Sequence, residues 1–254
     1  MKTLLRALTF VVAVLFSSFS HSQTSWKGTT STSWATAANW TNGVPTSTTD
    51  AIVGDAYFTG VNQPTISATA TCKSLTLGGA VTTVLTVNKT TTASGNITIN
   101  SNATVNQGGV SLTLTGNWIK NGVYSATSTS SAVIFGGTTQ SIQGSSVTTF
   151  RKLTINAGSV TTMNTDVIVS GASSICSVKG TLNPNESPSY KMTVTDITVS
   201  SSAVLKVTGA LFTDNYVISG TATLSSGSIV DYAATVLNQT VSSVYTYSTL
   251  NISG

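Results

Sequence analysis

The sequence predicts an all-β protein: a right-handed parallel β-helix with a tryptophan-rich cap over its first coil. Three observations carry this. One short word of alternating apolar and polar residues recurs along the chain, as Ser74-Leu-Thr-Leu77, Asn96-Ile-Thr-Ile99, Ser111-Leu-Thr-Leu114, Asp166-Val-Ile-Val169 and Asp196-Ile-Thr-Val199. A period of two is that of a half-buried strand, and Gly, Asn, Ser or Ala follows nearly every copy as a turn signal. Next, the segment Ser131 to Gly158 returns as Ser228 to Gly254, 97 positions later. Val133 then meets Val230, Phe135 meets Tyr232, Phe150 meets Tyr247, Leu153 meets Leu250 and Ile155 meets Ile252. Gln140-Ser-Ile142 meets Gln239-Thr-Val241 only after a slip of two residues, as a surface loop of variable length allows. Finally, no stretch beyond the N-terminus keeps apolar residues at i, i+3, i+4 and i+7, so no helix is expected there.

A solenoid explains the recurrence best. One coil cannot bury its apolar face alone, so each coil repeats the pattern and stacks on the next. Coils of roughly 20–25 residues would make the 97-residue offset about four coils. A propeller would show a blade signature, which is missing. Tandem β-sandwiches are the structural alternative. Leu153, Ile155, Leu250 and Ile252 are expected to point inward, with Thr154 and Asn251 outward.

Taken in order, the chain opens with Met1-Lys-Thr-Leu-Leu-Arg6, then an apolar run from Leu4 to Phe16, then small polar residues to Gln23. This reads as a secretory signal peptide over residues 1–22, with Ser20 and Ser22 before a cleavage site at Gln23. The apolar run is shorter than the ~20 residues a membrane span needs, so no span is expected after cleavage. Cleavage would remove His21, the single histidine. It would also take Lys2 and Arg6 from eleven basic residues against seven acidic ones, leaving nine and a net charge of +2. So few charges, unclustered, exclude a nucleic-acid partner.

Residues 23–60 have a different texture. Trp26-Lys-Gly28, Trp34, Asn39-Trp40, Gly43-Val-Pro45 and Asp50-Ala-Ile-Val53 crowd three of the four tryptophans into one span. A first coil exposes an open edge, and Trp26, Trp34 and Trp40 are large enough to cover it. The same three indoles could instead form a carbohydrate-stacking platform. Asp50 and Asp55 are expected to fix turns. Residues 61–254 are expected to be solenoid repeats.

The head pattern, together with Leu112-Thr-Leu-Thr-Gly-Asn-Trp118 and Asn121-Gly122, resembles β-solenoid modules of secreted bacterial surface, adhesin-like and autotransporter-passenger-like proteins. The resemblance implies an extracellular or cell-surface location and a structural or adhesive role. Such proteins usually carry a C-terminal anchoring domain, so the chain is expected to be a fragment or a short member.

For chemistry, a chain without histidine after cleavage has no Ser-His-Asp triad, Cys-His pair or histidine metal site. Its acids are Asp50, Asp55, Asp166, Asp196, Asp214, Asp231 and Glu186. The one suggestive set is Asp196, Asp214 and Asp231, 18 and 17 residues apart, near one short coil. A lyase would pair such acids with calcium and a base such as Lys179, Lys191 or Lys206. The acids also precede strands, which makes them turn residues. No catalytic residue, cofactor or metal is therefore expected. Rows of Thr on a flat face bind ice only in strict register, and Thr90-Thr-Thr92 and Thr113-Leu-Thr115 recur at no constant period. Cys72 and Cys176, 104 residues apart, are expected to lie several coils apart as buried free thiols. The expected function is a non-enzymatic extracellular β-solenoid, the alternative a carbohydrate-binding or polysaccharide-lyase-like β-helix. Expected partners are cell-surface glycans or matrix polysaccharide, and self-association along the solenoid.

Overall fold

A computed structural model describes residues 22–254; the signal peptide assigned to residues 1–22 lies outside the described residues except for Ser22. Each alternating word becomes a strand whose apolar residues face in. Leu75-Thr-Leu77 and Ile97-Thr-Ile99, for example, are buried at both ends and half-buried in the middle. Three strands and their corners make one coil. From Ala132–Phe135 the chain turns into Thr139–Gln143, then Thr148–Phe150, and returns to the first face at Lys152–Ile155.

Every strand pairing among the described residues is parallel, between one coil and the next. Sandwiches are built from antiparallel sheets, so that alternative falls. One face is a continuous long sheet of 11 strands from Gln23–Ser25 to Thr249–Ile252. The second has 8 strands, from Ala70–Cys72 to Ala222–Leu224. The third face consists of two sheets of 4 strands each. Inside runs one apolar core from Trp26 to Tyr232.

Coil length varies at the corners while the register holds. One coil takes 20 residues between Ile229 and Thr249 and another 25 between Val204 and Ile229. This brings into line residues whose sequence spacing is irregular. Thr71, Thr92, Thr113, Ile134, Thr154, Ser177, Thr198 and Thr223 form one outward row on the second sheet. No constant period reveals this row. It is a single residue wide and interrupted by Ile134. On the long sheet a polar row is tied by side chains. The Ser74 hydroxyl donates to Asp50 at 2.6 Å, the Asn117 N–H to Asn96 Oδ1 at 2.7 Å, and the Ser141 N–H to Asn117 Oδ1 at 2.8 Å.

Three expectations need correction. First, the 97-residue offset is not a whole number of coils. Four coils from Ala132, through Lys152, Ile175 and Asp196, reach the strand Ala222–Leu224. The offset carries Ala132 to Ile229, one strand further, on the long sheet. The second copy is therefore rotated by one face. The corner glutamines confirm the match. Gln140 accepts from the Gly137 N–H at 2.6 Å and donates to Leu114 O at 3.2 Å and Gly116 O at 2.6 Å. Gln239 accepts from the Ala234 N–H at 2.9 Å and donates to Val207 O and Gly209 O, both at 2.9 Å. The two-residue slip lies between the glutamine and its N–H donor.

Second, Leu153 and Ile155 are fully buried, but Leu250 is 42% and Ile252 67% exposed. Closing the core takes three faces. Between Tyr232 and Thr249 no strand forms on the other two, so the last strand has an inner side with nothing opposite it. Third, helix does occur, as a one-turn helix at Phe212–Asn215 and a 3-10 turn at Ala37–Asn39. Both are too short for a helical period to register.

Candidate functional site

The three head tryptophans are core. Trp26, Trp34 and Trp40 are 0, 3 and 1% exposed. Trp40 packs edge-on against Trp26 at 5.1 Å and against Trp34 at 4.6 Å between ring centroids. Trp26 Nε1 donates to Asn62 O at 2.9 Å and Trp40 Nε1 to Trp34 O at 2.8 Å. A stacking platform needs an open indole face, and burial leaves none here. Asn39, fully buried, braces the cap: its Oδ1 accepts from the N–H groups of Thr30 and Ser31, and its Nδ2 donates to Ser31 Oγ and Ser33 O.

The acids do not converge. Asp196 accepts from the Thr221 N–H at 2.7 Å on the second face. Asp214 accepts from the Leu211 N–H at 2.8 Å at the one-turn helix. Asp231, on the long sheet, accepts from Asn251 Nδ2 at 2.9 Å and Ser253 Oγ at 3.0 Å, with Lys206 Nζ at 4.0 Å. The suggestive spacing thus falls on three different elements, because the coils there are longer than 17 or 18 residues. Among the described residues no three potential ligands gather around one point. Lys179 and Lys191 are exposed, apart from Lys206.

The other four acids also hold local structure. Asp50 takes Lys73 and Ser74, Asp55 takes Ser25 Oγ at 2.5 Å and the Tyr57 N–H at 3.0 Å, and Asp166 takes the Lys191 N–H at 2.9 Å. Glu186 clasps the exposed segment Thr235-Val236 through both N–H groups and the Thr235 hydroxyl. The Thr235 N–H, first among these donors, holds the Glu186 carboxyl below the usual glutamate value.

The sequence reading passed over the third face, where the structure places a cleft. Its first sheet ends at Val123–Ala126, the second begins at Thr148–Phe150, and no ladder joins them. Trp118, Tyr124 and Phe150 meet beneath the break, with centroids 4.9, 5.4 and 5.8 Å apart. The corner between the strands is pinned from inside. Gly144, at φ +141°, lies so close to Lys120 that a Cβ there would sit 1.9 Å from the Lys120 carbonyl oxygen. Buried Lys120 donates from Nζ to Ser146 Oγ at 2.7 Å and Val147 O at 3.0 Å. Desolvation pushes its ammonium below the usual lysine value.

Above the break the cleft measures about 290 Å³. Ser125, Thr149, Arg151 and Ser170 stand on its walls, over Tyr124 and Phe150. Arg151 is half-buried and lies across Gly171, where a Cβ would come within 1.5 Å of Nη1. The ion pairs among the described residues are Lys73–Asp50 and Lys206–Asp231, so Arg151 has no acidic partner. The signal available in the sequence was slight: Arg151 is the one arginine after Arg6.

Comparison of the chain with protein families, curated proteins and solved structures finds no match. The resemblance to bacterial surface and autotransporter-passenger proteins therefore rests on the repetitive parallel solenoid and its tryptophan cluster.

Proposed function

We propose that the chain is the exported, non-enzymatic β-solenoid part of a surface protein, a rigid spacer with an adhesive flank. The observation that carries this reading is the use of its carboxylates. All seven accept hydrogen bonds that fix a corner or tie neighbouring coils. Acid-base catalysis needs carboxylates converging on a substrate at a defined separation, and these are dispersed. The long sheet supports the spacer role. Eleven strands at about 4.8 Å give a rod on the order of 48 Å along its axis. Its expected contacts are glycans or matrix polysaccharide along the flank, and further copies at the open last strand.

Two measurements test the reading. Export predicts a mature N-terminus at Gln23; N-terminal sequencing that finds His21 retained contradicts the signal assignment. Incubation with neutral and acidic polysaccharides, with and without calcium, is expected to release no new reducing or unsaturated ends. Sustained release that disappears in Asp214→Ala or Asp231→Ala would make the protein an enzyme.

A further inference from the structure

We propose that the cleft at the break in the third face binds a carboxylated sugar unit of an acidic polysaccharide, with Arg151 holding the carboxylate. The inference goes beyond the spacer reading and does not depend on it, since a rod can carry a site or lack one. Three features of the cleft point to this ligand.

The first is the cation. Arg151 sits in a concave site without an acid to neutralise it. A guanidinium presents N–H groups in a planar fork that matches a carboxylate. Its position is fixed by the floor at Gly171, where φ is +108° and no side chain fits. The second is the supply of neutral polar groups. Ser125, Thr149 and Ser170 bring hydroxyls to the walls. The strands Val123–Ala126 and Thr148–Phe150 have no ladder partner on the sides that face each other. Their backbone donors and acceptors, like the hydroxyls, suit a polyol that both donates and accepts. The third is size and shape. About 290 Å³ is at the lower limit of small-ligand pockets, near 300 Å³, which fits one sugar ring. The break runs parallel to the strands and opens on the side of the rod, so a polymer can pass through it.

The probe is a tetragalacturonate, titrated calorimetrically into the mature protein at low salt. The control ligand is the same tetramer fully methyl-esterified, which keeps the rings and removes the charges. Binding is expected for the acid and not for the ester. Arg151→Gln should weaken binding about 10- to 100-fold, the scale of a charge-assisted hydrogen-bonded contact. Arg151→Lys, which keeps the charge without the fork, should lie between. Lys179→Gln removes the same charge from an exposed position and should change binding little. Melting temperatures of the three variants show whether each is folded. The proposal is overturned if the acid tetramer does not bind, or if the ester binds equally. It is also overturned if Arg151→Gln and Lys179→Gln weaken binding alike, which would mean general attraction to a cationic surface. Equal affinity for acetate and for the tetramer would overturn the sugar assignment.

Discussion

Cys72 and Cys176 show how completely single positions are set by the coil. Both lie on the inner side of the second sheet, in strands five coils apart, and both are free and fully buried. Burial pushes each thiol up to about 12, with the Asp50 carboxylate adding to the effect at Cys72. A thiolate is the reactive form, so the folded protein should leave an aromatic disulfide reagent unreduced at pH 8, while the urea-unfolded chain should titrate two thiols at once. Fast reaction of the folded protein would contradict the burial. The strand register gives a second test. Leu153→Asp places an unpaired charge in a closed core and should cost about 4 kcal/mol or more, enough to prevent folding. Thr154→Asp, half-buried on the outer side, should cost under ~1 kcal/mol. Equal losses in thermal melts would disprove the register.

At the level of elements, corners differ from one another more than strands do. Gln140 and Gln239 bind equivalent groups, yet Gln140 is 2% exposed and Gln239 is half-buried. Water can replace the carboxamide of Gln239 but not that of Gln140. Gln140→Ala should therefore cost about 2–4 kcal/mol and Gln239→Ala about 1 kcal/mol in urea denaturation. Similar losses would mean that the two corners are equally closed. This difference also explains what the sequence disclosed. Strands announce themselves by alternation, so Leu75-Thr-Leu77 or Asp196-Ile-Thr-Val199 is legible residue by residue. The cap was legible because three indoles near one end have few other uses. Corners carry no period. The Lys120 contact with Ser146 and Val147 and the setting of Arg151 depend on which coil stacks on which, a matter of register rather than of local pattern. The inward orientation assigned to Leu250 and Ile252 failed for a related reason: alternation specifies a side, while burial also needs the other two faces. The indoles expected as a possible sugar platform turned inward for the same physical reason that made them good cap residues.

For the whole molecule, the two ends are unequal. At the start, the first strand is covered by the segment around Thr41 to Gly43, with Thr24 Oγ1 donating to Gly43 O at 3.0 Å and the Ser25 N–H donating to Thr41 Oγ1 at 2.9 Å. The last strand, Thr249–Ile252, is exposed throughout. A stacked array loses coils first where neighbours are fewest. In urea, far-ultraviolet circular dichroism should therefore begin to fall before tryptophan emission shifts, since three of the four tryptophans lie in the covered end. Coincident transitions would mean one cooperative unit. The rotated repeat has a consequence for how such a rod is assembled. The same phrase serves the second sheet at Ala132–Phe135 and the long sheet at Ile229–Tyr232. Strand phrases are thus interchangeable parts without an address. A nascent chain that docked one on the wrong face would still bury apolar side chains, and the error would propagate to every coil laid down after it. Proofreading must then fall to the corners. A glutamine that finds its two carbonyls, or a lysine that reaches its serine, rewards one docking and leaves a buried polar group stranded in the others.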